Sequence, residues 1–135
     1  RDRFPDCHEV LEFGRVLRHG ALYDNKGGEC RVPSVRFAAL WWERATGLLV
    51  LPPLKRGEGL LIDSCRAVHT IGMRYPIDII FIDSAWSVVS VVKHVSAFRF
   101  RADRTACRTL EMLSGEAARV GFSAGQCLTW KDAPK

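Results

Sequence analysis

Ile77-Asp78-Ile79-Ile80-Phe81-Ile82-Asp83 is the stretch on which the fold class turns. Successive side chains of a strand point to opposite faces, so Ile77, Ile79 and Phe81 share one side and Ile80 and Ile82 the other, with Asp78 as the interruption. A strand that is apolar on both faces needs cover on both, which predicts the central strand of a sheet. β-forming residues also fill 67–73, separated from this strand by a turn with Tyr75-Pro76, and 88–92, after a turn near Ser84-Ala85.

Working outward, strands are predicted at 17–23 and 30–37. They flank Asp24-Asn25-Lys26-Gly27-Gly28, where Asn and Gly supply the positive-φ positions of a hairpin. Residues 38–46 are strong helix formers, with Trp41, Ala45 and Leu48 on one stripe and Gly47 suited to the C-terminal cap, so a short helix is expected there. Pro52-Pro53 enforces an extended segment, and Gly57-Glu58-Gly59 turns the chain into a strand at 60–62. A long polar loop then leads to a strand at 107–112. Ser114-Gly115-Glu116 follows as a helix entry with Ser114 as N-cap, the helix leaves at Gly121, and 127–130 forms a last strand. Strands and helices do not alternate regularly. The expected fold is therefore α+β, with mainly antiparallel strands in a barrel-like or sandwiched sheet and two short helices. Residues 1–13 read as an N-terminal extension and 14–132 as one globular domain.

With 135 residues, 47% of them hydrophobic, the chain can build a single core and is not expected to be disordered. Its apolar runs, 48–54 and 77–92, are cut by Pro52-Pro53 or by Asp78 and Asp83, short of the roughly 18 residues a membrane span needs, so no membrane partner is expected. The net charge of +5 is concentrated in Lys93, Arg99, Arg101, Arg104 and Arg108, set against Asp103. Phe98 and Phe100 interleave with these arginines, a pattern on which single-stranded nucleic acid stacks. No recognition consensus or zinc-finger spacing accompanies it, so the expectation is a solvated arginine-rich loop, and nucleic acid is not counted as a partner. Five cysteines, at 7, 30, 65, 107 and 127, cannot all pair and include no close couple. Reduced thiols are expected, and with no charged-then-apolar leader in the chain a cytoplasmic location is favoured.

Gly121-Phe122-Ser123-Ala124-Gly125 fits the G-x-S-x-G pattern of a hydrolase elbow. That elbow needs a strand before the serine, a helix after it and a histidine downstream; here the order is reversed and no His follows, so a glycine-flanked turn is expected. Cys65, His69 and Met73 share a side whether their segment is strand or helix. Thiolate, imidazole and thioether together suit Cu(I), with Zn(II) as a further candidate, and a thiol beside an imidazole suits a thiol-dependent enzyme. Cys and Met are equally ordinary core residues. Asp78, inside an apolar strand, must find a partner, with His69, Arg44, Arg66, Arg74, Thr70 and backbone N–H groups as candidates. If its strand pairs with 67–73, a three-residue loop sets Asp78 on the side of Thr70 and Gly72, and a four-residue loop on that of His69 and Met73. Both registers remain open.

Several spaced motifs now occur in order: Trp42-Glu43-Arg44-Ala45-Thr46-Gly47-Leu48-Leu49, Gly57-Glu58-Gly59-Leu60-Leu61, His69-Thr70-x-x-Met73, Ile77-Asp78-x-x-Phe81-x-Asp83, Leu110-Glu111, Gly115 and Gly121-x-x-x-Gly125. Together, over 22–130, they resemble the family known as domain of unknown function 192. The resemblance implies a strand-rich α+β domain of bacterial and archaeal type, whose distinctive polar positions fall on Arg44, His69, Thr70, Met73, Asp78 and Glu111. It implies no reaction and no cofactor. Two departures are Gln126, where the family carries an acid, and Ala85-Trp86, where it carries a glycine; the second suggests a different hairpin tip with Trp86 exposed as a contact residue. The expected function is a non-catalytic accessory domain that binds a small molecule or a protein partner at a hollow around His69, Met73 and Asp78, with Arg44 and Trp41 or Trp42 beside it. Metal binding through Cys65, His69 and Met73, or thiol chemistry by Cys65 and His69, is the alternative.

Overall fold

The computed structural model describes residues 18–38, 54–70 and 73–134. In chain order they form β1 (Arg18–Asp24), β2 (Cys30–Ala38), β3 (Glu58–Asp63), β4 (Ala67–His69), β5 (Ile77–Ile82), β6 (Val88–Val95), β7 (Phe100–Ala102), β8 (Arg108–Leu113), the short helix α1 (Glu116–Val120) and β9 (Leu128–Asp132). Seven strands make one mixed sheet in the order β6-β5-β8-β3-β2-β1-β9, and β4 and β7 pair in a separate small sheet. The molecule is thus strand-rich α+β. Of the two predicted helices, α1 is present, while 39–46 and the N-terminal extension lie outside the described residues.

The predicted β1–β2 hairpin forms at its glycine-rich turn. There Asp24 accepts the Lys26 N–H through its side chain and the Gly28 N–H through its carbonyl, and Gly28 takes φ +68°. β2 then pairs with β3 in parallel, the one parallel pairing among the described strands. Parallel neighbours cannot be joined by a tight turn, so the chain must cross over between them. The barrel-like form expected from the sequence is not confirmed. The outer strands β6 and β9 approach through an isolated bridge between Ser87 and Cys127, and the sheet is not a closed barrel.

β5 is buried along its whole length, as its two apolar faces require. It lies inside the sheet between β6 and β8, but the middle position belongs to β3. Its side chains divide the core. Ile80 and Ile82 join Leu22, Phe37, Leu110, Ala117 and Phe122 on one face, where α1 packs. Ile77, Ile79 and Phe81 join Leu54, Leu60, Val68 and Val95 on the other. The hairpin imagined between 67–73 and β5 does not exist, because β4 pairs with β7 instead.

Trp86 is not an exposed contact residue. Its turn holds it at φ +63° and turns the ring inward, 3% exposed, beneath the Arg108 guanidinium, 4.0 Å from the ring centroid. Close packing also governs Gly20, where a Cβ would come 2.4 Å from the Lys131 carbonyl oxygen and 2.5 Å from the Trp130 ring. Gly20→Ala should therefore push Trp130 off the Phe37 ring it meets edge-on at 5.1 Å, and lower the unfolding free energy by about 1–3 kcal/mol in urea titration.

Candidate functional site

Asp78 sits on the face of the sheet covered by α1, with no exposed surface. Opposite it, the β5–β6 register shifts between Ile77↔Val95 and Ile79↔Val92, leaving Lys93 and His94 as a bulge. The bulge frees the His94 N–H, at φ +56°, and Asp78 Oδ1 accepts it at 2.9 Å. Asp78 Oδ2 accepts the Gly115 and Ala117 N–H groups at 3.0 and 2.9 Å. The expected Ser114 cap is absent. Gly115 is the N-cap residue, with φ +96° and no side-chain capping bond, and a carboxylate from a distant strand caps α1 instead. Ser114 Oγ meets His94 Nδ1. All three partners of Asp78 are thus backbone N–H groups, and its carboxylate ties a bulge to a helix start.

Met73 packs on the other face of the sheet, so Asp78 and Met73 lie on opposite sides of β5. His69 is exposed, because in β4 the neighbouring Val68 turns into the second cluster and places His69 on the outer side beside its cross-strand partner Phe100. Cys65 lies half-buried against the second cluster and its thiol donates to the Ala67 carbonyl at 3.0 Å. Among the described residues, no three His, Cys, Asp or Glu side chains converge as a metal site would need. Cys30, Cys65, Cys107 and Cys127 are free thiols. Arg44, Trp41 and Trp42 lie outside the described residues.

Thr70 is buried, and it organises the chain rather than a hollow. Its hydroxyl donates to the Ser96 carbonyl at 2.6 Å and accepts the Arg99 N–H at 2.8 Å. Its own N–H donates to the Arg99 carbonyl at 2.9 Å, and its carbonyl accepts the Phe98 N–H at 3.2 Å.

Glu111 differs from all of these. In β8 its cross-strand neighbours are Leu60 and Ile79, both in the second cluster, so its carboxyl enters the apolar face that also holds Met73 and Tyr75. It is 7% exposed, and no described residue gives it a hydrogen bond or an ion pair. Burial alone pushes its pKa up from 4.5 to about 7. A carboxyl in such surroundings is protonated in weak acid and is held half-charged near neutrality.

A pocket of about 470 Å³ opens at one end of the sheet, lined by 63–66, 84 and 106–108. Its strongest cation is already engaged, since Arg108 donates to the Asp83 carbonyl at 2.9 Å, lies 3.8 Å from Asp63 and stacks on Trp86. Sequence reasoning valued Asp78 above Glu111 because an acid inside an apolar run is visible as a pattern, whereas Glu111 became isolated only through the placement of β8 between β3 and β5.

A family model described as "Uncharacterized ACR, COG1430" (DUF192) matches residues 23–130. No curated protein matches the chain. Among solved structures, a candidate transcription regulator from Sinorhizobium meliloti 1021 is similar at TM-score 0.71 and 20% identity, covering 84% of this chain and 92% of that one. A protein of unknown function from Novosphingobium aromaticivorans DSM 12444 is similar at TM-score 0.66 and 19% identity, covering 83% of this chain and 84% of its own. At these identities the likeness is one of fold.

Proposed function

The chain belongs to the DUF192 family, and we propose that it is a non-catalytic binding domain with a small-ligand site centred on Glu111. The observation that supports this is Glu111 itself, a residue 7% exposed whose side chain enters an apolar sheet face and has no hydrogen-bond or ion-pair partner among the described residues. A carboxyl desolvated by apolar neighbours and served by no protein donor costs stability, and a ligand bringing a hydroxyl or amine N–H to that position would offset it. Leu60, Ile79 and Met73 around it would hold the apolar part of such a molecule, in the usual manner of a site with few polar groups in an apolar wall. Asp78, whose two oxygens already accept three N–H groups, is a support of the fold on this reading, and His69 is outside the site.

Amide-shift mapping with small carbohydrates, nucleotides and peptides tests the proposal. Responses should centre on 59–61, 73, 79 and 110–112, and Glu111→Gln should weaken the binding about tenfold, the worth of one charged hydrogen bond. A uniform lack of response around Glu111, or equal affinity of the variant, would contradict it.

A further inference from the structure

Phe98 and Phe100 are 70% and 65% exposed, the only large apolar side chains left so open among the described residues. Arg99 between them is exposed as well, so three consecutive side chains face solvent. A strand lying on a surface buries every second residue; three exposed in a row mark a projecting corner. The corner is not loose. Buried Thr70 grips both its backbone ends through the four hydrogen bonds to 96–99 given above, and Phe98 is held at φ +61°, a conformation costly for a bulky residue. Holding a ring in water by a strained, tethered backbone prepares it for contact, because little order remains to be imposed on binding.

Charge indicates what it contacts. Arg99, Arg101 and Arg104 have no carboxylate partner in the described residues. Arg99 and Arg101 donate back to the Phe98 and Phe100 backbone carbonyls, at 3.4 and 2.8 Å, which keeps their cations at the corner. The nearby acid, Asp103, is occupied by Ser90 and Thr105 hydroxyls. We infer that this corner docks on the surface of an anionic lipid bilayer, the two rings entering the headgroup boundary and the arginines meeting the lipid phosphates. A single strand of nucleic acid needs a groove to follow, whereas a convex tip of two aromatics rimmed by cations fits an interface that yields to it. No helix among the described residues is long and apolar enough to cross a membrane.

Vesicle co-sedimentation of the full chain tests this inference. Binding is expected to phosphatidylcholine vesicles containing one-third phosphatidylglycerol and not to pure phosphatidylcholine. Phe98→Asn with Phe100→Ser, Asn being tolerant of the left-handed backbone, should reduce the partition about tenfold or more, as should neutralising Arg99, Arg101 and Arg104 to Gln. Independently of those variants, Phe98→Trp should give tryptophan emission that shifts to the blue on anionic vesicles relative to the native chain. Unshifted emission, equal binding to neutral vesicles, undiminished binding by the double Phe variant, or tighter binding of a single-stranded oligonucleotide at the same salt would each overturn the inference.

Discussion

Asp78→Ala should lower the unfolding free energy by about 3–5 kcal/mol, a large part of the total for a domain of this size. The substitution strands the N–H groups of His94, Gly115 and Ala117 at once, in a position with no exposed surface from which water could replace the carboxylate. Each buried donor left unmade costs about 1–3 kcal/mol, with some relief because a bulge and a short helix can relax. Asp78→Asn should cost less but still be felt. An amide has one acceptor oxygen, so serving Gly115 and Ala117 turns its NH₂ toward the His94 N–H. The check is urea unfolding with hydrogen exchange. The Gly115 and Ala117 amides should lose protection first, and an unchanged midpoint in the alanine variant would remove the structural role assigned to Asp78.

Glu111→Gln should have the opposite sign and depend on pH. The folded state raises this carboxyl from 4.5 to about 7, so between those values the native protein binds a proton that the unfolded chain has released. The Glu111 contribution is therefore least unfavourable below 4.5, worsens as pH rises through this window and levels off above about 7, where it amounts to about 3 kcal/mol of destabilisation. Gln has the same shape and no charge to desolvate. At pH 8 the variant should be more stable than the native chain by about 1–3 kcal/mol, and the two should converge near pH 4. Glu116 and Asp103, held below the usual carboxylate range by bonds from Arg119 and from Ser90 and Thr105, lose stabilising ionisation in acid in both proteins alike. The difference between the two curves thus isolates Glu111, and parallel curves would show its burial to be without cost.

These two acids show what a sequence discloses and what it conceals. β5 was legible because burial on both faces leaves an unbroken apolar run, and the β1–β2 hairpin because Asn and Gly occupy positions that only such residues favour. The helix at 116–120 was legible too, but its cap was not. Ser114 stood where a local cap belongs, while the carboxylate that performs the task comes from 39 residues earlier, and no short-range pattern encodes that distance. The two open registers for Asp78 both assumed a hairpin with 67–73. The true partner of β4 is β7, brought there by the Thr70 bonds to 96–99, so neither register applied. The resemblance pointed to Glu111 by position alone. Its isolation follows from strand order, which places Leu60 and Ile79 on either side of it. The arginine-rich segment read as a solvated loop, since nothing in composition signals that its two phenylalanines stay exposed on a strained and tethered backbone.

The most direct measurement is an NMR titration of the Glu111 side-chain carboxyl carbon in the folded chain. A midpoint near 7 agrees with an acid desolvated on the second face of the sheet. A midpoint at the ordinary 4.5 would mean that solvent or a hidden donor already serves it, and the ligand site placed there would have no foundation.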